Sequence, residues 1–297
     1  MMNSINKVYF TKIMKVSFLF RLSSLILLFL LSSCQRSITP LKLLVMPIDT
    51  VENTKATYAP FISYLEESIN RKVHLVTPSS YAEVKEILLS DSTYDIVNLN
   101  GVLFSQYYDP QRYHIFAQET SGGETSYNSV FITRLNSNIK QIPDLKGSLI
   151  AFNNKYSTSG ALVPVIMLYK AGLYPNIDYN YHFLNSHLAS AQSVISGDSD
   201  AAAVSWKTFK KFIIDKKINP SSLRIIGVSF PIPLDPWLLD KNLSDDLKYQ
   251  ISSAFYELSQ RSVFNSLGSD GFVPATKKTF TSLTVEDSKL YRTFLAE

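Results

Sequence analysis

The 297-residue chain has a single cysteine, Cys34, so no intramolecular disulfide can hold its fold together. It has no dense cluster of basic residues. The formal net charge is +4, and Lys7, Lys12, Lys15 and Arg21 all fall near the N-terminus. With no nucleic-acid motif beside it, that mild bias gives no reason to expect DNA or RNA as a partner. The densest apolar run, Leu25 to Leu31, is too short for a comfortable membrane span. A Gly-x-Ser-x-Gly nucleophile elbow is missing, and so is a phosphate loop with Lys-[Ser/Thr] after its glycine. His74, His114, His182 and His187 form no i, i+4 pair of the kind that holds a catalytic metal on a helix. These absences argue against an enzyme, and no metal or cofactor is expected. No internal repeat or low-complexity segment stands out.

What is present suits a globular protein of one large or two medium domains, with 45% hydrophobic and 18% charged residues. The 17 Tyr and 18 Phe are mostly core material, with a few tyrosines on loops able to line a cleft. At the N-terminus, Met14-Lys15 opens a basic region, Val16 to Leu31 is apolar, and Leu31-Ser32-Ser33-Cys34 follows. This is the order of a secretory signal peptide, and its last four residues resemble the lipobox of bacterial lipoproteins. The resemblance implies a signal peptide over 1–33, a lipid on Cys34, a tether over 34–40, and a place on the periplasmic side of a bacterial membrane. An ordinary N-terminal membrane anchor is the alternative. Gln35 leaves inner or outer membrane open, and translation starts at either Met1 or Met14.

In the mature chain, Leu41 to Met46 reads as a buried strand closed by Pro47, followed by a helix from Tyr58 to Asn70, a strand over 72–77, a helix over 81–90 and a strand over 94–99. This alternation predicts a parallel α/β sheet. A polar stretch over 120–128 precedes a strand at Ser129 to Arg134, where the chain crosses to a second lobe. Strands at 148–152, 201–204 and 223–229 alternate there with helices at 157–170, 189–196 and 205–215. Pro231, Pro233 and Pro236 mark a stiff return crossing, and a long helix over 244–260 follows. The expected architecture is α/β with two lobes joined by two crossing segments: 41–128 plus 236–297 as lobe 1, and 129–235 as lobe 2. Ligands of such sheets bind at the carboxyl ends of strands.

The clearest local signal is Ala151-Phe-Asn-Asn-Lys-Tyr-Ser157-Thr158-Ser159-Gly160, a strand running through a polar loop into a helix start. Early helical N–H groups have no internal partner and the dipole is positive there, which suits a tetrahedral oxyanion. An ordinary N-cap at Ser157 or Ser159 is the plainer reading.

Asp144-Leu-Lys-Gly, Ser-Thr-Ser-Gly-Ala-Leu-Val-Pro164, Asn185-Ser-His187, Gly197-Asp-Ser-Asp-Ala-Ala-Ala-Val204, Ser229-Phe-Pro-Ile-Pro-Leu-Asp235-Pro236 and Gly271-Phe-Val-Pro274 occur in one order. Together they resemble phosphonate-, phosphite- or phosphate-type periplasmic substrate-binding proteins of ABC transporters, over roughly residues 41 to 275. The resemblance implies a type II-like periplasmic binding protein fold with the ligand between the lobes. It implies that Ser157, Thr158 and Ser159 hold the oxyanion and that His187 approaches from a neighbouring loop. Tyr81 and Tyr127 would donate from the opposite lobe. Asp235 would face a ligand amino group or a protonated oxyanion. Asn98 and Asn100 depart from the family's aromatic-rich strand end and either donate to the anion or cap a turn. Where binders of aminoalkylphosphonates carry a carboxylate, this chain has Ser205-Trp206-Lys207. The implied partners are a small oxyanion, an ABC permease or a membrane histidine kinase, and the membrane through the lipid, with the chain a monomer.

Overall fold

In the first strand and its extension, Leu41, Leu43 and Val45 enter one apolar cluster while Leu44 and Met46 enter another. That is the period-two pattern of a strand buried on both faces. A computed structural model describes residues 39–47, 50–90, 92–282 and 285–296. Pro40 onward forms one compact unit. The signal segment, Cys34 and the tether as far as residue 38 lie outside the described residues.

Two sheets carry the fold. The first runs β13 (Gly271–Pro274), β4 (Tyr113–Thr120), β12 (Pro236–Asp240), β3 (Ile96–Asn98), β1 (Leu41–Leu44), β2 (Val73–Val76). The second runs β10 (Leu223–Val228), β6 (Ser129–Arg134), β9 (Ala201–Ser205), β7 (Leu149–Phe152), β8 (Asn180–Phe183). Each sheet has a parallel core, β2–β1–β3 and β8–β7–β9, extended by antiparallel strands. Helices cover both faces of each. In the second sheet, Ala201 and Ala203 face one cluster, and Ala202 and Val204 the other.

The chain leaves the first sheet after β4 and returns to it at β12. Both passages extend into short strands, β5 (Ser126–Tyr127) and β11 (Ile232–Pro233), which pair antiparallel with Ile232 opposite Tyr127. The two expected crossings are therefore hydrogen-bonded to each other as a ribbon.

Helices α1 (Val51–Ile69), α2 (Tyr81–Leu89), α3 (Gly101–Tyr107), α4 (Val163–Lys170), α5 (His187–Ser196), α6 (Trp206–Ile214), α7 (Asp245–Glu257), α8 (Arg261–Leu267) and α9 (Val285–Ala296) complete the chain. Helix α1 starts seven residues before the expected Tyr58. Thr50 caps it by accepting from Asn53 N at 3.1 Å, and its exposed first turns give no apolar period. Helix α9 packs against both α4 and α3. Its Tyr291 and Phe294 are buried in the cluster that contains Phe131, Ile150 and Phe152 of the second sheet.

Candidate functional site

Residues from both sheets line a cavity of about 640 Å³. Its character comes from helix starts. Ser157, Ser186 and Ser205 lie at the carboxyl ends of second-sheet strands. Each hydroxyl accepts from a backbone N–H of the helix it opens, Ser157 from Gly160, Ser186 from Leu188 and Ser205 from Thr208. From the first sheet, Asn100 caps α3 by accepting from Leu103 N at 3.0 Å, and Tyr81 is the first residue of α2 behind its cap Ser80. All five of these positions, Tyr81, Asn100, Ser157, Ser186 and Ser205, line the cavity. Helix dipoles present positive ends and unpaired first-turn amides there, so their fields add over one small volume and favour an anion.

The tip at 157–160 is built tightly. Residues Thr158–Leu162 form a wide π-turn that passes into α4. Ser157 O accepts from Leu162 N at 3.1 Å, and Asn153 N donates to Gly160 O at 3.0 Å. The amides of Thr158 and Ser159 come before the first of the helix's own bonds. A Cβ at Gly160 would stand 2.5 Å from Asn153 Cβ and 2.9 Å from both His187 Cε1 and Ser157 Oγ. Only glycine lets the strand loop, the helix start and the imidazole pack this closely. Thr158 Oγ1 accepts from Val102 N of α3 at 3.2 Å, which ties the tip to the first sheet's side. Each hydroxyl that accepts in these bonds still has a proton to give.

His187 opens α5. Burial pushes its pKa down to about 4, so the ring is neutral near pH 7. Ser205 N donates to Nδ1 at 3.4 Å, so the ring proton sits on Nε2. The imidazole is thereby a neutral hydrogen-bond donor rather than a fixed positive charge.

The opposite wall is acidic and phenolic. Burial raises the Tyr81 hydroxyl to about 12 and raises Tyr127 further, so both remain O–H donors. Tyr127 shares a hydrogen bond with the Ser159 side chain. Asp235 is pushed up to about 8, first by burial and then by Glu119, with Lys207 acting against both. Glu119 is also raised by burial, while Lys207 and the Trp237 indole lower it. Trp237 Nε1 donates to Glu119 Oε1 at 3.3 Å.

All seven residues named from the sequence, Ser157, Thr158, Ser159, His187, Tyr81, Tyr127 and Asp235, line this one cavity. Cys34 lies outside the described residues. Asn100 is in the lining, with Nδ2 donating to Tyr156 O at 2.8 Å, whereas Asn98 is buried elsewhere and donates to Pro236 O. Sequence reasoning did not assign Glu119, Lys207, Asn153 or the caps Ser186 and Ser205 to the site. Ser205 could have been found from its place between an expected strand and an expected helix, whereas the strand before Ser186, β8, was not expected. Glu119 lies in β4, a strand the sequence reading did not identify. Among the described residues, no group of three or more His, Cys, Asp or Glu could hold a metal ion.

Residues 43–280 match the family described as ABC transporter, phosphonate, periplasmic substrate-binding protein. The chain is 27% identical over 202 residues to the phosphate-import protein PhnD of Mycolicibacterium smegmatis, covering 62% of this chain and 61% of that one. It is 26% identical over 216 residues to the phosphonates-binding periplasmic protein of Escherichia coli, covering 71% and 64%. The alignments thus span somewhat under two thirds of each relative's length. Among solved structures, PhnD1 from Prochlorococcus marinus in complex with methylphosphonate has a TM-score of 0.70 at 20% identity, over 86% of this chain and 98% of that one. That likeness shows the same two-lobe fold.

Proposed function

The chain belongs to the periplasmic substrate-binding family of phosphonate ABC transporters, and from that premise we propose that its cavity captures a small phosphonate-like oxyanion, a phosphonate, phosphite or phosphate, for delivery to a permease. The observation that carries this reading is the gathering of helix starts around Ser157, Ser186, Ser205, Asn100 and Tyr81 on one cavity. In it the hydroxyls and first amides at Ser157, Thr158 and Ser159 receive the oxyanion's oxygens. His187 adds a neutral Nε2–H donor, and Tyr81 and Tyr127 donate from the other lobe. Asp235, protonated near pH 7, offers a further O–H to a ligand oxygen. The lobes, 41–128 with the return from 236 and 129–235 with the last helix packed behind it, close over the guest. Cys34 carries the lipid that holds the monomeric chain on the periplasmic face of the membrane.

Calorimetric titration of the chain lacking its first 34 residues with methylphosphonate, phosphite, phosphate and sulfate tests this. At least one phosphorus oxyanion should bind. Ser157→Ala with Thr158→Ala should weaken the best of them by roughly 3–6 kcal/mol, since bonds to charged groups contribute roughly 1.5–3 kcal/mol each. An unchanged dissociation constant in that double variant would remove the oxyanion from the 157–159 tip.

A further inference from the structure

Two carboxyl groups stand in a cavity otherwise built for an anion. Glu119 comes from the end of β4, fixed by the Trp237 indole, and Asp235 ends the return crossing. Unopposed, they would repel an oxyanion guest. Lys207, the second residue of α6, is the only lysine or arginine in the lining. Its Nζ donates to Gly268 O at 2.9 Å, reaching from the second sheet's helix to the cap of α8 beside the first sheet. Gly268 stands two residues before Asp270, whose carboxylate accepts from Thr120 Oγ1 at 2.6 Å and from Gly123 N at 2.9 Å. Thr120 is the neighbour of Glu119. The ammonium is thus held against the strand end that carries Glu119, and its field opposes the upward shifts of both Glu119 and Asp235.

Resting on the oxyanion reading, we propose that Lys207 determines specificity: its ammonium is a positive charge held beside the Glu119 and Asp235 wall, so the cavity takes oxyanions with an uncharged tail and rejects amino-bearing phosphonates. A ligand ammonium directed at this wall finds the protonated Asp235 carboxyl and a like charge beside it. A methyl group or a hydrogen on phosphorus carries no charge and meets no such conflict.

The experiment is calorimetry on the purified full chain with methylphosphonate and 2-aminoethylphosphonate, for the native protein, Lys207→Gln and Lys207→Arg. The native chain should prefer methylphosphonate by roughly tenfold or more, in the range by which an unpaired or opposed polar group is discriminated. Lys207→Gln should weaken methylphosphonate and strengthen the amino compound, collapsing that ratio, while Lys207→Arg keeps the charge and the preference. A native chain that favours 2-aminoethylphosphonate overturns the proposal, as does a ratio unmoved by Lys207→Gln. Lys207 is exposed, so its replacement leaves the core intact. If neither phosphonate binds the native chain while phosphite or phosphate does, this proposal falls and the oxyanion reading stands; if none of them binds, both fall. If methylphosphonate binds but the ratio is insensitive to residue 207, only the role of Lys207 falls.

Discussion

At His187 the fold trades charge for direction. A buried imidazolium would add attraction for an anion, but removing it from water lowers its pKa from 6.5 to about 4. What remains is a ring held in one tautomer by Ser205 N and wedged against Gly160. The sign of the linkage follows. Above pH 6.5 the folded and unfolded chains both hold a neutral ring, and no stability is lost. Between about 6.5 and about 4 the unfolded chain takes up the proton first, so stability falls as the pH falls. Urea unfolding of the native chain and His187→Gln at pH 7 and pH 4 should show the native chain losing up to about 3 kcal/mol relative to the variant on acidification. A constant gap would mean that the ring is solvated. This tautomer could not be read from sequence, because it depends on a backbone amide 18 positions away. The seven residues that share the cavity were legible because they follow strand ends and sit in motifs. Glu119 carries no motif, and only the pairing of β4 with β12 and β13 puts it in view, while Lys207 was visible in the sequence only as part of a departure from the family pattern.

Among the elements, the parallel core of the first sheet and strands β7 and β9 of the second were legible from apolar runs and helical spacing, whereas β8 was not. Nor was strand β4. It is buried at almost every position, including the polar Gln118, and so shows no alternation between a wet and a dry face. Helix α9 follows β13 in sequence but packs against helices of both sheets. It lies beyond the residues that match the family, yet it supports the loop before Ser157 from behind. Tyr291 donates to Lys155 O at 2.7 Å, in the loop leading to Ser157. Phe294 meets the buried Phe152 edge-on at 6.0 Å and Tyr181 at 4.7 Å. Phe294→Ala should therefore cost about 3–5 kcal/mol of stability in denaturant unfolding. Tyr291→Phe removes one hydrogen bond and keeps the ring, so about 1 kcal/mol of stability is expected to go. If the loop depends on that bond, methylphosphonate affinity should fall as well. Native affinity in Tyr291→Phe would make α9 a core element with no bearing on the site.

For the whole molecule, the proposed function depends on two lobes that close when a ligand binds the closed form better than the open one. The ribbon of β5 and β11 is the axis available for that motion, and it carries Tyr127 on one strand while Asp235 lies two residues past the other. A ligand that touches both side chains reports to the axis itself. Asp235 makes this contact sensitive to pH in a definite direction. Its carboxyl, at about 8 rather than 3.8, is neutral and able to donate over the neutral range. Above about 8 it becomes an anion facing an anion. Because the unfolded chain ionises first, Asp235 also lowers stability as the pH climbs from about 4 to about 8, and Asp235→Asn should gain on the native chain across that window. Binding should show the same group from the other side. Methylphosphonate affinity of the native chain should drop as the pH passes about 8, by roughly tenfold for a lost bond turned to repulsion. Asp235→Asn, which keeps a donor and cannot ionise, should hold its affinity nearly level over the same interval. Ionisation of the phosphonate acts equally on both proteins, so the difference between their curves isolates Asp235. Parallel curves would place the carboxyl away from the bound oxyanion and leave closure to the tyrosines and the helix starts.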